Sequence, residues 1–213
     1  MAVTATATPD VRDDITAQLG MGRPPRNPPT IHVHGFARHN LHLSVIRAPT
    51  HDFKLHRVQK LIEAHGNGIV YVATRKQAER VQQKLLTRAK GINVLLYHGA
   101  LSDEERTRVQ EAFVAAPHAV IVATNAFGMG VDRSDLRFIA HWDLPGSVEA
   151  YYQEVGRAGR DGQPAWCELL FNYADVRTQQ FFIYSANPTY EDAIALLNAI
   201  RRKSANEPQV LTG

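Results

Sequence analysis

The sequence predicts an α/β protein whose mostly parallel sheet is covered by helices on both faces. Short apolar runs rich in β-branched residues alternate with amphipathic helical stretches from residue 66 onward, which is typical of such sheets. The chain has 213 residues, of which 44% are hydrophobic and 21% charged. These values are ordinary for a globular protein that buries its core without disulfide or metal staples.

The first third of the chain combines regular elements with a proline-rich connection. We predict a short helix over Pro9–Leu19, ended by Gly20, and two strands over Ile31–Phe36 and Leu41–Ile46. Residues 21–30 between them contain four prolines, which exclude a regular helix or a central strand. We therefore interpret that segment as a linker.

The remaining elements alternate regularly between strand and helix. The apolar runs predict strands over Ile69–Ala73, Val94–Tyr97, Ala119–Ala123, Phe138–Trp142 and Trp166–Phe171. The 3.6-residue periodicity and the capping residues predict helices over Lys76–Ala89, 103–116 after a capping box at Ser102, 148–156 after Ser147, Asp175–Tyr184 and Tyr190–Arg202.

Composition excludes several classes of function. The single cysteine, Cys167, excludes a disulfide framework and a Cys-rich zinc site within the chain, and its apolar strand predicts an inert core thiol. No apolar run approaches the roughly 18 residues of a membrane span, and the first ten residues do not resemble a signal peptide. We expect no membrane partner and a cytoplasmic location, nucleoid-associated if the source is bacterial. The net charge of +3 is too small to indicate nucleic-acid binding by itself.

The segment 153–162 is the strongest candidate site. The i, i+4, i+7 spacing of Gln153, Arg157 and Arg160 predicts that they share one stripe of a helix. Gly156 and Gly159 would each cost about 1 kcal/mol inside that helix, so they indicate close approach of the backbone to an anion. The alternative is a solvated helix end with ordinary surface arginines.

A second candidate is the stretch Val120–Asp132, where a predicted buried strand enters a loop with Gly128, Gly130 and an acid, Asp132. Glycines in such a loop let backbone N–H groups approach phosphate or sugar, although a tight turn with positive φ is the alternative. Ligands of parallel sheets bind at the carboxyl ends of the strands. We therefore expect the site among the loops after Ala73, Tyr97, Thr124 and Trp142.

Together these segments resemble helicase motifs. The segment YYQEVGRAGRDG (151–162), with VATNAFGMGVD (122–132) about 30 residues upstream, closely resembles motifs VI and V of superfamily-two helicases. The residues at the variable positions of both motifs resemble those of RecQ-type DNA helicases. VTATATP (3–9) resembles motif III, IVYVATR (69–75) motif IV and YHGAL (97–101) the tyrosine-histidine block after it. DLPGSVEAYYQ (143–153) is similar to the family's run into motif VI.

The resemblance implies a RecA-like three-layer domain of the P-loop NTPase type. The family motor has two such domains, with ATP and Mg²⁺ between them, but this sequence contains neither a Walker A P-loop nor a DExH box. A first RecA-like domain would therefore bind most of the ATP and Mg²⁺, and no metal is expected in this chain. We expect residues 1–30 to be the tail of that first domain and the linker, 31–186 the second RecA-like domain, and 187–213 a C-terminal helix and tail.

The resemblance also implies roles for individual residues. The pair expected to act as arginine fingers, with a nucleotide-sensing glutamine, is Arg157 and Arg160 with Gln153. The residues expected near the nucleotide are Gly128, Gly130 and Asp132. The residues expected along the DNA backbone are Thr74, Arg75, His98 and Thr124. The implied activity is ATP-driven 3′-to-5′ unwinding of single-stranded or forked DNA in DNA repair and recombination, and the isolated chain is expected to be inactive.

Other interpretations remain open at this point. The same fold could serve as a stand-alone, non-catalytic module that binds nucleic acid or a partner, or as half of an RNA helicase. We interpret the histidines at 32, 34, 39 and 42 as surface residues rather than metal ligands. We expect Trp142, Trp166 and the Phe181–Phe182 pair to be core residues rather than base-stacking platforms.

Overall fold

The computed structural model describes residues 2, 8–24, 27–32, 37–89, 91–128, 133–187 and 189–206, without the side chains of 202–206. Its helices are α1 (Pro9–Gln18), α2 (His51–His65), α3 (Arg75–Arg88), α4 (Asp103–Ala115), α5 (Val148–Val155), α6 (Tyr173–Ala186) and α7 (Tyr190–Asn206). Its strands are β1 (Leu41–Arg47), β2 (Gly68–Tyr71), β3 (Asn93–Tyr97), β4 (Ala119–Ala123), β5 (Phe138–His141) and β6 (Ala165–Phe171).

The strands form one sheet in the order β1-β6-β5-β2-β4-β3, and every pair of neighbours is parallel. The register places Ile69 of β2 between Ile121 of β4 and Ile139 of β5. Because all the strands run the same way, their carboxyl ends lie along a single edge of the sheet. We call this the carboxyl edge.

Helices cover both faces of the sheet. On one face, α2 and α3 bury apolar residues such as Leu55, Val58 and Leu85 against Val70 and Val122. On the other face, buried residues of α4 and α5 pack against alternate strand residues, among them Phe113, Val155, Ile69, Ile121 and Cys167. The period of two along each strand sends successive side chains into opposite cores. This confirms the predicted three-layer α/β architecture.

Polar caps set where the helices begin. Thr50, Thr74 and Ser147 each accept a hydrogen bond from a backbone N–H of the first turn of α2, α3 and α5. At α4 the predicted capping box is present. The Ser102 N–H donates to the Glu105 carboxylate over 2.9 Å, and the Glu105 N–H donates to the Ser102 hydroxyl over 3.2 Å.

Two parts of the sequence prediction differ from the structure before residue 66. Helix α2 fills a stretch to which we assigned no element, although Leu55, Val58 and Ile62 have the i, i+3, i+7 spacing of its buried face. Of the predicted strand over Ile31–Phe36, residues 31 and 32 have no regular structure and residues 33–36 lie outside the described residues.

The aromatic predictions divide into confirmed and wrong ones. Trp142 is buried as expected, and half-buried Trp166 stacks between His65 at 4.0 Å and His42 at 5.2 Å between ring centroids. The core prediction for Phe181 and Phe182 is wrong, because they are 66% and 40% exposed. The reason is that α6 contributes no buried residue to either core.

Cys167 is the inert core thiol that the sequence predicted. It lies fully buried in the second core. Burial raises the pKa of this thiol to about 12, so the reactive thiolate does not form near neutral pH.

A buried cation ties α2 to the carboxyl edge. The ammonium group of Lys54, which is 1% exposed, donates to the Trp142 carbonyl oxygen and to the Asp175 carboxylate, the latter over 2.6 Å. It also lies 3.9 Å from Asp143, whose carboxylate accepts from the Ala73 N–H over 2.8 Å. Burial raises the pKa of Asp143, and the charge of Lys54 opposes that rise. The cluster fixes the loop that leads from β5 into α5.

Replacing Lys54 should destabilise the protein because it leaves two carboxylates without their cation. Lys54→Met should lower the free energy of unfolding by about 3 kcal/mol, measured by urea denaturation. Lys60→Met, on the exposed face of the same helix, is the matched control and should change it by less than about 0.5 kcal/mol. Equal stabilities of the two variants would contradict this account of the cluster.

Candidate functional site at the carboxyl edge

The loops expected to carry the site do converge. The turn that follows β4 is held to neighbouring strands, since the Thr124 N–H donates to the Tyr97 carbonyl over 3.2 Å. The Trp142 N–H donates to the Tyr71 carbonyl over 2.9 Å, which joins the end of β5 to the end of β2. The loops after β2, β3, β4 and β5 therefore share one rigid edge.

Arg157 reaches this edge from the turn that follows α5. Its Nη1 donates to the carbonyl oxygen of Gly128, in the loop after β4. Its guanidinium also lies near the buried hydroxyl of Tyr71, where its positive charge opposes the rise in pKa that burial causes. A Cβ at Gly128 would lie 2.9 Å from Nη2, so the missing side chain is what allows this approach. Among the described residues, the buried Nε of Arg157 has no hydrogen-bond partner.

The predicted helical stripe of Gln153, Arg157 and Arg160 is wrong. Helix α5 ends at Val155, and Gly156 caps it. The chain then continues in turns, with the Arg157 N–H bonded to the Glu154 carbonyl three residues back. Gln153 is exposed on α5, Arg157 is half-buried on the turn, and Arg160 is exposed beyond it. The three side chains are therefore not aligned by a helix. Beyond Arg157 the turn bonds to residues that precede β5, since the Gly159 N–H donates to the Leu136 carbonyl over 2.9 Å, so Arg160 lies towards the amino ends of the strands.

The glycines of this segment also act differently from the prediction. Gly159 has φ of 54°, in the left-handed region, and a Cβ there would lie 2.7 Å from the Gln163 carbonyl oxygen and 2.6 Å from the Asn40 amide nitrogen. The close approach is therefore to the protein's own chain and not to an anion. Gly156 has an ordinary helical φ of −61°.

Residues just before β1 hold the arginine-bearing turn in place. Arg38 donates to the carbonyl oxygens of Ala158 and Gly159 over 3.0 and 2.6 Å. The Asn40 side-chain amide donates to the carbonyls of Gly159 and Gln163, both over 2.8 Å. These contacts span about 120 residues of sequence, so no local pattern could have predicted them.

A buried group of polar rings lies beneath the turn. The Tyr71 hydroxyl donates to the Phe127 carbonyl oxygen over 3.2 Å. The Tyr71 ring stacks on His141 at 5.5 Å between centroids, and His141 Nε2 lies 2.8 Å from a carboxylate oxygen of Glu154 on α5. None of Tyr71, His141 and Glu154 was predicted from the sequence to be a site residue. The available signal was that Tyr71 and His141 are the polar ends of two apolar strands that point at the same edge.

The other residues that the sequence predicted for the site differ in how exposed they are. Thr74 caps α3 through its hydroxyl, and Arg75, the first residue of that helix, is exposed. Thr124 and His98 are buried, and His98 Nε2 lies 3.6 Å from the Glu79 carboxylate. Gly130 and Asp132 lie outside the described residues. The site roles of all these residues stay predictions.

Metal-ligand clusters and membrane-spanning helices are both absent from the described residues. In the ranges that the structure describes, no group of three or more His, Cys, Asp or Glu side chains is arranged to bind a metal ion. None of the helices in the same ranges has the length and apolar character needed to cross a membrane.

Comparison with known families gives a match that includes this edge. Residues 53–162 match the helicase conserved C-terminal domain. The chain is 44% identical over 184 residues to the ATP-dependent DNA helicase RecQ of Bacillus subtilis (strain 168), which covers 86% of this chain and 30% of that protein. It is 34% identical over 212 residues to the probable ATP-dependent DNA helicase RecS of the same organism, covering 99% of this chain and 42% of that protein.

Solved structures agree on the fold. Dbp5 of S. cerevisiae bound to RNA and ADP BeF3 superposes with a TM-score of 0.64 at 22% identity, covering 85% of this chain and 47% of that one. Domain 2 of the DEAD-box helicase Mss116p, bound to an RNA duplex, superposes with a TM-score of 0.57 at 19% identity, covering 65% and 58%. The chain spans less than half the length of the RecQ and RecS relatives.

Two glycines of the arginine-bearing turn allow a matched stability test. Gly159 and Gly162 both have positive φ, but only Gly159 is crowded, since nothing lies within 4 Å of a Cβ at Gly162. Gly162→Ala should cost about 1 kcal/mol from backbone strain alone, and Gly159→Ala about 2 kcal/mol more from crowding, both measured by urea denaturation. Equal losses would show that the turn is not packed as described.

Proposed function

Since the chain belongs to the family of helicase conserved C-terminal domains and is of the RecQ type, we propose that it is the second motor domain of an ATP-dependent DNA helicase. In this proposal it supplies Arg157 and Arg160 to ATP and Mg²⁺ that a first RecA-like domain binds. Gln153, on the last turn of α5, contacts the nucleotide and couples its presence to closure of the two domains. Residues 31–186 form the motor domain, 1–30 the tail of the first domain with the linker, and 187–213 a C-terminal helix and tail.

The position of the Arg157 guanidinium carries the proposal. It lies at the edge of the sheet where parallel α/β domains bind their ligands, and it is half-buried, so it retains an exposed side. Its Nε has no acceptor among the described residues, and an orphaned donor on a charged group is costly. Because Nε itself is buried, a phosphate oxygen is a suitable acceptor for the guanidinium N–H groups on the exposed side. The residues present therefore fit a nucleotide phosphate held from the other side.

The chemistry assigned to this chain is electrostatic. ATP supplies the phosphoryl group that is transferred to water, and charge develops on its oxygens as the bond to the leaving group breaks. A guanidinium that is already oriented stabilises that charge without reorganising, and such a residue is worth about 10³–10⁵ in rate. Arg157 is oriented by Gly128 and Tyr71, and Gly128 also brings backbone close to the nucleotide. Gly130 and Asp132 belong to the same proposed contact.

The proposed DNA track lies along the same edge. Arg75 is exposed at the N-terminus of α3, where backbone N–H groups and the helix dipole favour phosphates. Thr74, His98 and Thr124 adjoin it, but burial of His98 and Thr124 leaves Arg75 as the main side-chain contact. Backbone contacts recognise the charge and shape of a strand and not its sequence. Cycles of closing and opening then move the protein along one strand of single-stranded or forked DNA, in the 3′-to-5′ direction.

Hydrolysis needs both halves of the ATP site, so the isolated chain should show no ATPase activity. A hybrid in which this chain replaces the segment of B. subtilis RecQ that it matches should hydrolyse ATP when DNA is added. Arg157→Ala in the hybrid should lower kcat by about 10³-fold or more. Arg88→Ala, at the opposite end of the sheet beside Asn67 and His118, is the matched control and should leave kcat unchanged. A hybrid that is active with Arg157→Ala would contradict the proposed role.

The DNA track is tested on the 213-residue chain itself. Arg75→Ala should weaken binding of a fluorescent single-stranded oligonucleotide and reduce the slope of log affinity against log salt by about 1, as loss of one phosphate contact does. Arg88→Ala removes the same charge at the other end of α3 and should leave that slope unchanged. If the two variants lose equal affinity, only net charge matters and no track exists at this edge. Fluorescence anisotropy at several salt concentrations provides the measurement.

A further inference from the structure

Tyr71 links three separate segments through one hydroxyl group. It is the last residue of β2 and is 4% exposed. Its hydroxyl donates to the carbonyl oxygen of Phe127 over 3.2 Å and adjoins the guanidinium of Arg157, whose charge acts on the pKa of that hydroxyl. The same guanidinium donates to Gly128, the residue next to Phe127. The tip of β2, the loop after β4 and the turn after α5 therefore meet at this hydroxyl.

The hydroxyl is suited to donate and accept at the same time. Burial raises the pKa of Tyr71 far above its usual value, and the nearby charge of Arg157 opposes that rise. The group therefore stays protonated and neutral at any physiological pH. A neutral phenol beside the guanidinium forms no ion pair with it, so the positive charge of the arginine stays available.

The ring of Tyr71 is itself held in place. It stacks on His141 with an interplanar angle of 22°, and His141 is fixed by its 2.8 Å contact with Glu154. The ring of Tyr151 also packs against His141, with 5.0 Å between the two ring centroids. Glu154 and Tyr151 both belong to α5, the helix that leads into Arg157. The hydroxyl is therefore an immobile point against which a long, flexible side chain is oriented.

We propose that Tyr71 is the positioning residue for Arg157: its hydroxyl holds the guanidinium against the Gly128 carbonyl and so orients it in advance at the carboxyl edge. The assignment of a catalytic consequence rests on the proposed function of Arg157. Tyr71 does not touch the nucleotide in this account. It acts by removing the rotational freedom of the arginine before the phosphate arrives, which lowers the entropy lost at the reactive step.

Tyr97 provides a matched control for Tyr71. It is also the last residue of a strand, is 6% exposed, and faces the same core, with its ring 4.8 Å from that of Phe127. Its hydroxyl accepts a hydrogen bond from the side chain of Gln110 over 3.2 Å and none from an arginine. Tyr71→Phe and Tyr97→Phe therefore remove the same atom from equivalent places, and only the first affects Arg157.

The first measurement uses the 213-residue chain without nucleotide. With ¹⁵N-labelled arginine, the side-chain resonances of Arg157 are assigned by their loss in Arg157→Lys. In the wild type, slow rotation of the held guanidinium should give separate Nη resonances, and Tyr71→Phe should merge them. Tyr97→Phe should leave them separate. Gly128→Ala, which crowds the guanidinium while keeping the hydroxyl, should merge them as well. Separate Nη resonances in Tyr71→Phe would overturn the proposal.

The second measurement uses the hybrid helicase and separates positioning from general stability. Tyr71→Phe should lower kcat for DNA-stimulated ATP hydrolysis roughly ten- to a hundredfold, as misplacement of a catalytic group does, and leave KM for ATP within about twofold. Tyr97→Phe should change neither constant. A Tyr71→Phe hybrid with wild-type kcat, in which Arg157→Ala is inactive, would also overturn the proposal.

The two measurements distinguish failure of the inference from failure of the proposed function. If the wild-type hybrid hydrolyses no ATP, the motor function is contradicted, and the resonances of Arg157 still decide whether Tyr71 positions it. If the hybrid is active and depends on Arg157, merged resonances together with a lowered kcat support the inference.

Discussion

The site depends on one interaction, the contact of the Arg157 guanidinium with the Gly128 carbonyl and the Tyr71 hydroxyl. An arginine side chain has many rotamers, and restricting it requires partners that are themselves fixed. Here one partner is a backbone carbonyl in a loop after a buried strand, and the other is a hydroxyl on a stacked, buried ring. The charge is thereby placed at the carboxyl edge while one side of the residue remains accessible.

The rest of the fold supplies the rigidity that this contact needs. Six parallel strands in the described part of the chain, covered on both faces, place the loops after β2, β4 and β5 along one edge. Lys54 fixes the loop after β5 by joining the Trp142 carbonyl to Asp175. Arg38 and Asn40 fix the turn after α5 from a distant part of the sequence. We therefore expect that replacing Lys54, Arg38 or Asn40 changes the position of Arg157, although the loops and not the arginine lose the direct contact.

Local pattern was sufficient to predict most of the architecture. Strand β4 lies where its apolar run predicted, and the capping box at Ser102 begins α4 as expected. Helix α2 was missed although its apolar spacing was present, since a charged residue, Lys54, also lies on its buried face. Phe181 was assigned to a core because aromatic residues in an amphipathic helix are usually buried, but α6 contributes no buried residue and Phe181 is exposed.

The site was predictable in its residues and not in its geometry. The motif segments identified Arg157 and Gly128 from sequence, but the helical stripe was wrong because a positive φ at Gly159 turns the chain soon after α5 ends. The groups that surround Arg157 come from β2 and from the loop after β4, and their contacts depend on how the strands are ordered in the sheet. Strand order is a property of the whole fold, so periodicity along the sequence carries no information about it.

The most direct test of the central claim is a crystal structure of the hybrid helicase with ADP and beryllium fluoride. The account predicts that the guanidinium of Arg157 lies within hydrogen-bonding distance, about 3 Å, of the fluoride that takes the place of the γ-phosphate. A structure with the two domains closed around the nucleotide, in which Arg157 points away from the fluoride and another cation occupies that position, would contradict it.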